Sequence, residues 1–315
     1  MIKILASAYQ IAEKKVLNYD LAKVIDTSNE WIVSRTGIVS RYYSLTENTS
    51  DLAYQASLKA LEASNINPND LDYLVVATMT PDKITPSVAN IVHKKLDIQS
   101  NKIMCFDINV ACSGFVYALD IVARLLRKNE KALVIASETV SKILDFTDRN
   151  TCFLFGDGAG ALIVASDKSK DYYSYTNSIS DNDEVLYANG LPLINQDYTK
   201  SFLKMSGQAV FKFAVKASCH SINEVLKESN FEINDLDLII CHQANYRIIK
   251  NIAKHLDLDL DKFYLNVDKY GNTSAASIPI CLGELFEAGK LKSGMKIVMV
   301  AFGSGLAMGS ILLEI

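Results

Sequence analysis

Residues 61–72 read LEASNINPNDLD, and residues 226–237, 165 positions further on, read LKESNFEINDLD. Seven of the twelve positions are identical: Leu61/Leu226, Ser64/Ser229, Asn65/Asn230, Asn69/Asn234, Asp70/Asp235, Leu71/Leu236 and Asp72/Asp237. Each copy closes a helical pattern and leads into an apolar run of β character, YLVVATM after the first and LIICHQA after the second. A further echo follows in the same order, KALVIAS at 131–137 and MKIVMVA at 295–301. Two echoes at a shift near half the length mark a duplicated unit, with halves at 1–165 and 166–315.

Working outward, short Val/Ile-rich runs alternate with helical patterns: strand at 73–78, helix at 87–95, strand at 103–110, helix at 114–127, strand at 131–137. That alternation predicts an α/β fold with buried sheets. The helix after 112 is apolar on nearly every side, through Phe115, Val116, Leu119, Val122 and Leu126, and so belongs between layers. Residues 166–205, rich in Ser, Asp, Asn and Tyr, read as a long surface excursion, either a cover for a site or a tolerated insertion.

Composition limits the function. Of 315 residues 49% are apolar and 22% charged, with 14 Gly and 5 Pro, the profile of a packed globule. A net charge of −4 with scattered Lys and Arg leaves no footprint for nucleic acid. The start, MIKILASAYQ, meets Glu13, Lys14 and Lys15 too soon for a signal peptide, and no apolar run approaches the ~20 residues needed to span a bilayer. A cytoplasmic location without membrane attachment is expected. Six cysteines show no C-x-x-C spacing and four histidines are dispersed, so neither a disulfide framework nor a zinc site is expected.

Three residues stand where strands give way to helices. Cys112, in FDINVACSGF, precedes the apolar helix, where the positive end of the helix dipole favours a thiolate. His242, in IICHQANYRII, is a candidate acid, base or hydrogen-bond donor. Asn272 lies in the turn YGNTSAAS. Each alone has a bland alternative: a buried apolar thiol, a structural imidazole, an ordinary turn. The duplication joins them, since a shift of 160 lays Cys112 on Asn272 and the strand ends of both halves converge on one centre.

VACSGF, HQAN and YGNTSAAS, with NEWIVSRTGI at 29–38 and LFGDGAGA at 154–161, occur together and in order, and the chain from about residue 20 onward resembles the 3-oxoacyl-[acyl-carrier-protein] synthase III family. The resemblance implies the five-layered αβαβα thiolase fold, a homodimer, and no cofactor beyond a coenzyme A thioester as substrate. It implies that Cys112 takes an acyl group from acyl-coenzyme A, and that the thioester is attacked by the enolate from decarboxylated malonyl-acyl carrier protein. His242 and Asn272 then donate to the enolate oxygen, and backbone N–H groups of Cys112 and Ser304 hold the acyl oxygen. Matching positions assign coenzyme A contacts to Trp31, Arg35, Arg149, Gln208, Phe211 and Asn245. They assign carrier-protein docking to Lys212, Arg247, Lys250 and Lys254, the last three on one helical face. Thr85 stands where acetyl-selective relatives have a bulky aromatic that narrows the acyl pocket across the dimer, and Cys241 replaces a usual Pro. Cys, His and Asn in this order also describe papain-like hydrolases, but their C-G-S-C-W type sequence is absent. A specialised-metabolism homologue moving other acyl groups stays open.

Overall fold

The computed structural model describes residues 2–190 and 202–315. From the start the chain runs β1 (Ile2–Ile11), β2 (Lys14–Leu17), α1 (Asn18–Leu21), α2 (Asn29–Thr36), β3 (Ser40–Tyr43), α3 (Thr49–Ser64), β4 (Tyr73–Ala77), α4 (Val88–Lys95), β5 (Met104–Ile108), α5 (Gly114–Leu125), β6 (Lys131–Glu138) and β7 (Gly158–Ser166). It continues through β8 (Tyr172–Ser178), β9 (Leu186–Tyr187), β10 (Lys204–Met205), α6 (Gly207–Glu228), β11 (Leu238–Cys241), α7 (Tyr246–His255), α8 (Val267–Tyr270), α9 (Ser277–Glu287), β12 (Lys296–Gly303) and β13 (Ala307–Glu314).

Two mixed sheets carry the fold, ordered β1-β7-β6-β4-β5 and β8-β13-β12-β11. The register is copied between them. Leu74 lies opposite Leu133 in the first sheet, and 165 residues on Ile239 lies opposite Val298 in the second. The repeated motif has a mechanical role in both copies. The Asp72 carboxylate accepts the Lys131 N–H at 3.0 Å and the Asp237 carboxylate accepts the Lys296 N–H at 2.8 Å, so each ties the starts of two neighbouring strands.

Layering follows from which faces are apolar. Leu52, Ala53, Ala56 and Ala60 of α3, with Val88 and Val92 of α4, cover the outer face of the first sheet. Ile222, Ile248 and Ile252 of α6 and α7 cover the outer face of the second. Between the sheets lie α5 and α9, with Phe115, Leu119, Ile278 and Leu282 packed against both. This is the five-layered thiolase arrangement, and α5 is apolar on nearly every side because it has sheet on both sides.

Two expectations are corrected. The 166–205 stretch is not wholly an excursion: Tyr172–Ser178 is an edge strand that pairs antiparallel with β13, its half-buried residues having one covered face only. Residues 191–201 of that stretch lie outside the described residues. The second correction concerns the equivalence of Cys112 and Asn272. Tight turns at Ala111–Ser113 and Ser274–Ala276 open α5 and α9, each beginning with a residue at positive φ (Ala111, 42°; Ser274, 51°). The Ala111 N–H is accepted by Asn109 Oδ1 at 3.1 Å and the Ser274 N–H by Asn272 Oδ1 at 2.8 Å. The shift at this point is therefore 163, Asn272 corresponds to Asn109, and Cys112 corresponds to Ala275. Cys112 and Asn272 meet because the two turns meet, not because they are duplicates of one position.

Candidate active site

A cavity of about 750 Å³ runs from exposed Lys212 and Arg247 inward to Cys112, and His242 and Asn272 line it too. A smaller cavity of about 140 Å³ also opens on Cys112 and is lined by Met79, Ile143, Leu186, Leu203 and Ser304. Cys112 thus stands between a wide approach and a narrow apolar recess.

The thiol is buried, and burial pushes it up to about 12, a change that a hydrogen bond from the Ser274 hydroxyl partly offsets. Burial outweighs the expected helix-dipole activation: Cys112 lies in the turn before α5 and is only 6% exposed. β12 passes close behind: a Cβ at Gly303 would lie 2.9 Å from the Cys112 amide nitrogen, so only glycine permits the approach.

His242 follows β11 and is buried against Phe302, ring centroids 5.1 Å apart. Burial lowers it to about 3, so the imidazole is neutral at physiological pH. Its Nδ1 lies 2.7 Å from Ser277 Oγ, which accepts the Gln243 N–H at 3.2 Å. The hydroxyl has one proton and a second acceptor site, and Nδ1 receives that proton in the tautomer that keeps the ring proton on Nε2.

Asn272 is clamped by its backbone. Its N–H donates to Leu154 O at 2.9 Å and its carbonyl accepts the Gly156 N–H at 3.0 Å, which gives the LFGDGAGA segment its structural purpose. Gly271, at φ 66°, makes the approach possible, since a Cβ there would lie 2.8 Å from Leu154 O. With Oδ1 engaged by Ser274 N–H, the amide group offers its Nδ2 hydrogens to the cavity. In that tautomer His242 and Asn272 both offer donors to the cavity.

Sequence reasoning missed three contributors. Ser277 orients His242, Ser274 Oγ lies 3.5 Å from Cys112 Sγ, and Ser274 Oγ is also 3.3 Å from Glu138 Oε1. The small residues after Asn272 looked like helix-starting filler. A signal for Glu138 existed, a lone acid closing the apolar run KALVIASE.

Comparison with known proteins bears on what this constellation is. Residues 106–181 match the family described as 3-Oxoacyl-[acyl-carrier-protein (ACP)] synthase III, and residues 226–315 match its C-terminal part. A beta-ketoacyl-[acyl-carrier-protein] synthase III of Clostridium acetobutylicum is 44% identical, over 99% of this chain and 98% of that protein. This chain belongs to the 3-oxoacyl-[acyl-carrier-protein] synthase III family. A crystal structure of the Aquifex aeolicus VF5 synthase III superposes with a TM-score of 0.93 at 38% identity, covering 100% of both chains. The priming beta-ketosynthase of the R1128 polyketide pathway superposes at 0.92 with 29% identity, over 99% of this chain and 96% of that one.

The remaining positions matched to the synthase III family fall mostly at the cavity mouth. Trp31 stacks edge-on against Phe153 at 5.3 Å, and the guanidinium groups of Arg35 and Arg149 lie 5.6 and 5.2 Å from its ring. Arg149 itself pairs with Asp26 at 3.0 Å and does not line the cavity. Gln208, Phe211 and Asn245 do line it; Asn245 caps α7 by accepting the Arg247 N–H at 2.8 Å and donates to Arg35 O at 3.2 Å. Arg247, Lys250 and Lys254 are exposed on α7, whose Ile248, Ile249 and Ile252 are buried on the opposite side. Ser304 lines the smaller cavity and its hydroxyl donates to Leu186 O. Thr85 is exposed and lines neither cavity within the chain. Buried Cys241 lies at the end of β11.

Proposed function

We infer that this chain condenses an acyl-coenzyme A primer with malonyl-acyl carrier protein, releasing carbon dioxide and forming 3-oxoacyl-carrier protein, the step that initiates fatty acid synthesis. The observation that carries this reading is a buried thiol that shares one cavity with two side chains held as neutral hydrogen-bond donors. Cys112 attacks the primer thioester and keeps the acyl group while coenzyme A leaves, so one difficult step becomes two. Malonyl thioester then loses carbon dioxide, and His242 Nε2 and Asn272 Nδ2 stabilise the enolate oxygen that results. Backbone N–H groups of Cys112 and Ser304 hold the oxygen of the acyl group during attack. The reaction balances without a redox group or a metal.

Trp31, Arg35 and Arg149 receive the adenine and phosphates of coenzyme A, with Gln208, Phe211 and Asn245 along the pantetheine path. Lys212, Arg247, Lys250 and Lys254 form the face that meets the acidic carrier protein. The smaller cavity takes the acyl chain. Thr85 borders that recess from a second copy of the chain in a homodimer, and its small side chain admits primers longer than acetyl. Residues 1–165 and 166–315 are the duplicated halves, one supplying Cys112 and the other His242 and Asn272. Among the described residues no helix is long and apolar enough to cross a membrane, in keeping with work in the cytoplasm.

The test is intact-protein mass spectrometry after exposure to acetyl-, isobutyryl- and octanoyl-coenzyme A, followed by malonyl-carrier protein with carbon dioxide trapped. Acylation at Cys112 and its discharge with one carbon dioxide per turnover is the expected result. An unmodified Cys112, or discharge without carbon dioxide, would overturn it, and the preferred primer separates fatty-acid initiation from a specialised homologue.

A further inference from the structure

Glu138 is a fully buried acid that the condensation as described leaves idle. It closes β6, and the donors it meets are neutral: the Thr80 hydroxyl at 2.6 Å and the Thr78 hydroxyl at 3.2 Å, both on Oε2, with Met79 N–H at 3.2 Å. Its other oxygen, Oε1, faces Ser274 Oγ at 3.3 Å, and that same Oγ lies 3.5 Å from Cys112 Sγ. One hydroxyl hydrogen cannot serve both neighbours, so the row has two arrangements. In one, the thiol donates to Ser274 and Ser274 donates to the Glu138 carboxylate. In the other, Ser274 donates to a Cys112 thiolate and a protonated Glu138 donates to Ser274.

Resting on the acyl-transfer reading above, we propose that Ser274 and Glu138 relay the Cys112 proton, with Glu138 holding it while the sulfur carries the acyl group. In the first half-reaction the S–C bond to the acyl carbon forms as the thiol proton moves to Ser274 Oγ and the serine's own proton moves to Glu138 Oε1. The bond from that carbon to coenzyme A breaks, and the departing thiolate takes a proton from solvent in the open cavity. In the second half-reaction the enolate carbon displaces Cys112, and the proton on Glu138 returns through Ser274 to the sulfur. One proton is consumed per turnover and Glu138 ends as it began.

Rapid-quench acylation by acetyl-coenzyme A separates the relay from the reading beneath it. Ser274→Ala and Glu138→Gln are both expected to slow acyl transfer by about 10²-fold, within the range of general acid–base catalysis, while still decarboxylating malonyl-carrier protein. The amide that replaces the carboxylate in Glu138→Gln retains an oxygen for Thr78 and Thr80, so this variant keeps the local hydrogen bonds. Burial raises the Glu138 carboxyl to about 7, and acylation by the parent is expected to rise with pH through that value as the carboxylate forms, an inflection absent from Glu138→Gln. If the parent itself never acylates, the acyl-transfer reading fails and the relay with it. If the parent acylates and both variants match it in rate and pH profile, the relay alone is overturned. The relay is also overturned if the variants lose acylation, decarboxylation and thermal stability together, since that outcome marks a structural role.

Discussion

His242 owes its chemistry to Ser277 and to burial more than to its own ring. A solvent-exposed imidazole titrates near 6.5, whereas this one is pushed down to about 3 and has its Nδ1 occupied. The decarboxylation step is therefore expected to be insensitive to this group between about pH 5 and 8. Initial rates of carbon dioxide release across that range from malonyl-carrier protein without an acyl primer, so that the acylation step is bypassed, check the point, and a fall centred near 6.5 would mean the ring charges at working pH. Replacing His242 by Ala should reduce decarboxylation about 10²- to 10³-fold, the usual loss for an oxyanion donor, and leave Cys112 acylation nearly intact. That His242 and Cys112 share one cavity was legible from their positions at strand-to-helix junctions. The protonation state of either was not, because it depends on neighbours far away in sequence, Ser277 for one and Ser274 with Glu138 for the other.

At the scale of elements, α9 is the part that delivers Ser277 and follows directly on Asn272 and Ser274. Its position is set by contact with the first sheet. A Cβ at Gly160 of β7 would lie 2.6 Å from both the carbonyl carbon and the Cβ of Pro279 in α9. Backbone cannot yield as a flexible side chain does, so Gly160→Ala is expected to cost about 1–3 kcal/mol and to lower Tm by roughly 3–10 °C. Condensation should fall further than the lost stability explains, because the first turn of α9 moves with the helix. Thermal unfolding beside the condensation assay checks this, and an unchanged Tm would show that α9 does not depend on that contact. The sequence repeat correctly pointed to equivalent strands and to helix starts that converge. It misaligned Cys112 with Asn272, since the strands repeat at 165 residues and the turns at 163, a difference seen only once backbone angles are known.

For the whole molecule the strand edge at β5 is the telling one, because it carries apolar residues. β5 is the terminal strand of the first sheet and is only half-buried despite its apolar residues, with Met104 53% exposed. Beside it, the Val88 N–H is held by Asp107 of β5 at 2.6 Å, and the loop just ahead displays Ile84 at 75% exposure next to Thr85. An unpaired apolar edge of this kind is ordinarily covered, and in the proposed homodimer a second copy would cover it. Ile84→Glu should therefore weaken self-association at least tenfold without unfolding the chain. Light scattering over a dilution series is the check: the parent should have the mass of two chains and the variant should approach one. A monomeric parent, or a variant that dimerises equally well, would refute this arrangement.

Readable from the chain alone are the duplicated α/β architecture, the buried middle helix and the three residues that line the cavity. These are recorded locally, in hydrophobic period, in turn residues and in identical motifs. Packing between distant segments makes Cys112 a buried and reluctant thiol, brings Ser277 to His242, and puts Glu138 one hydroxyl away from the sulfur. Desolvation and hydrogen-bond direction are properties of the surroundings of a group, and for Cys112 and Glu138 those surroundings include Ser274, more than a hundred residues away in the chain.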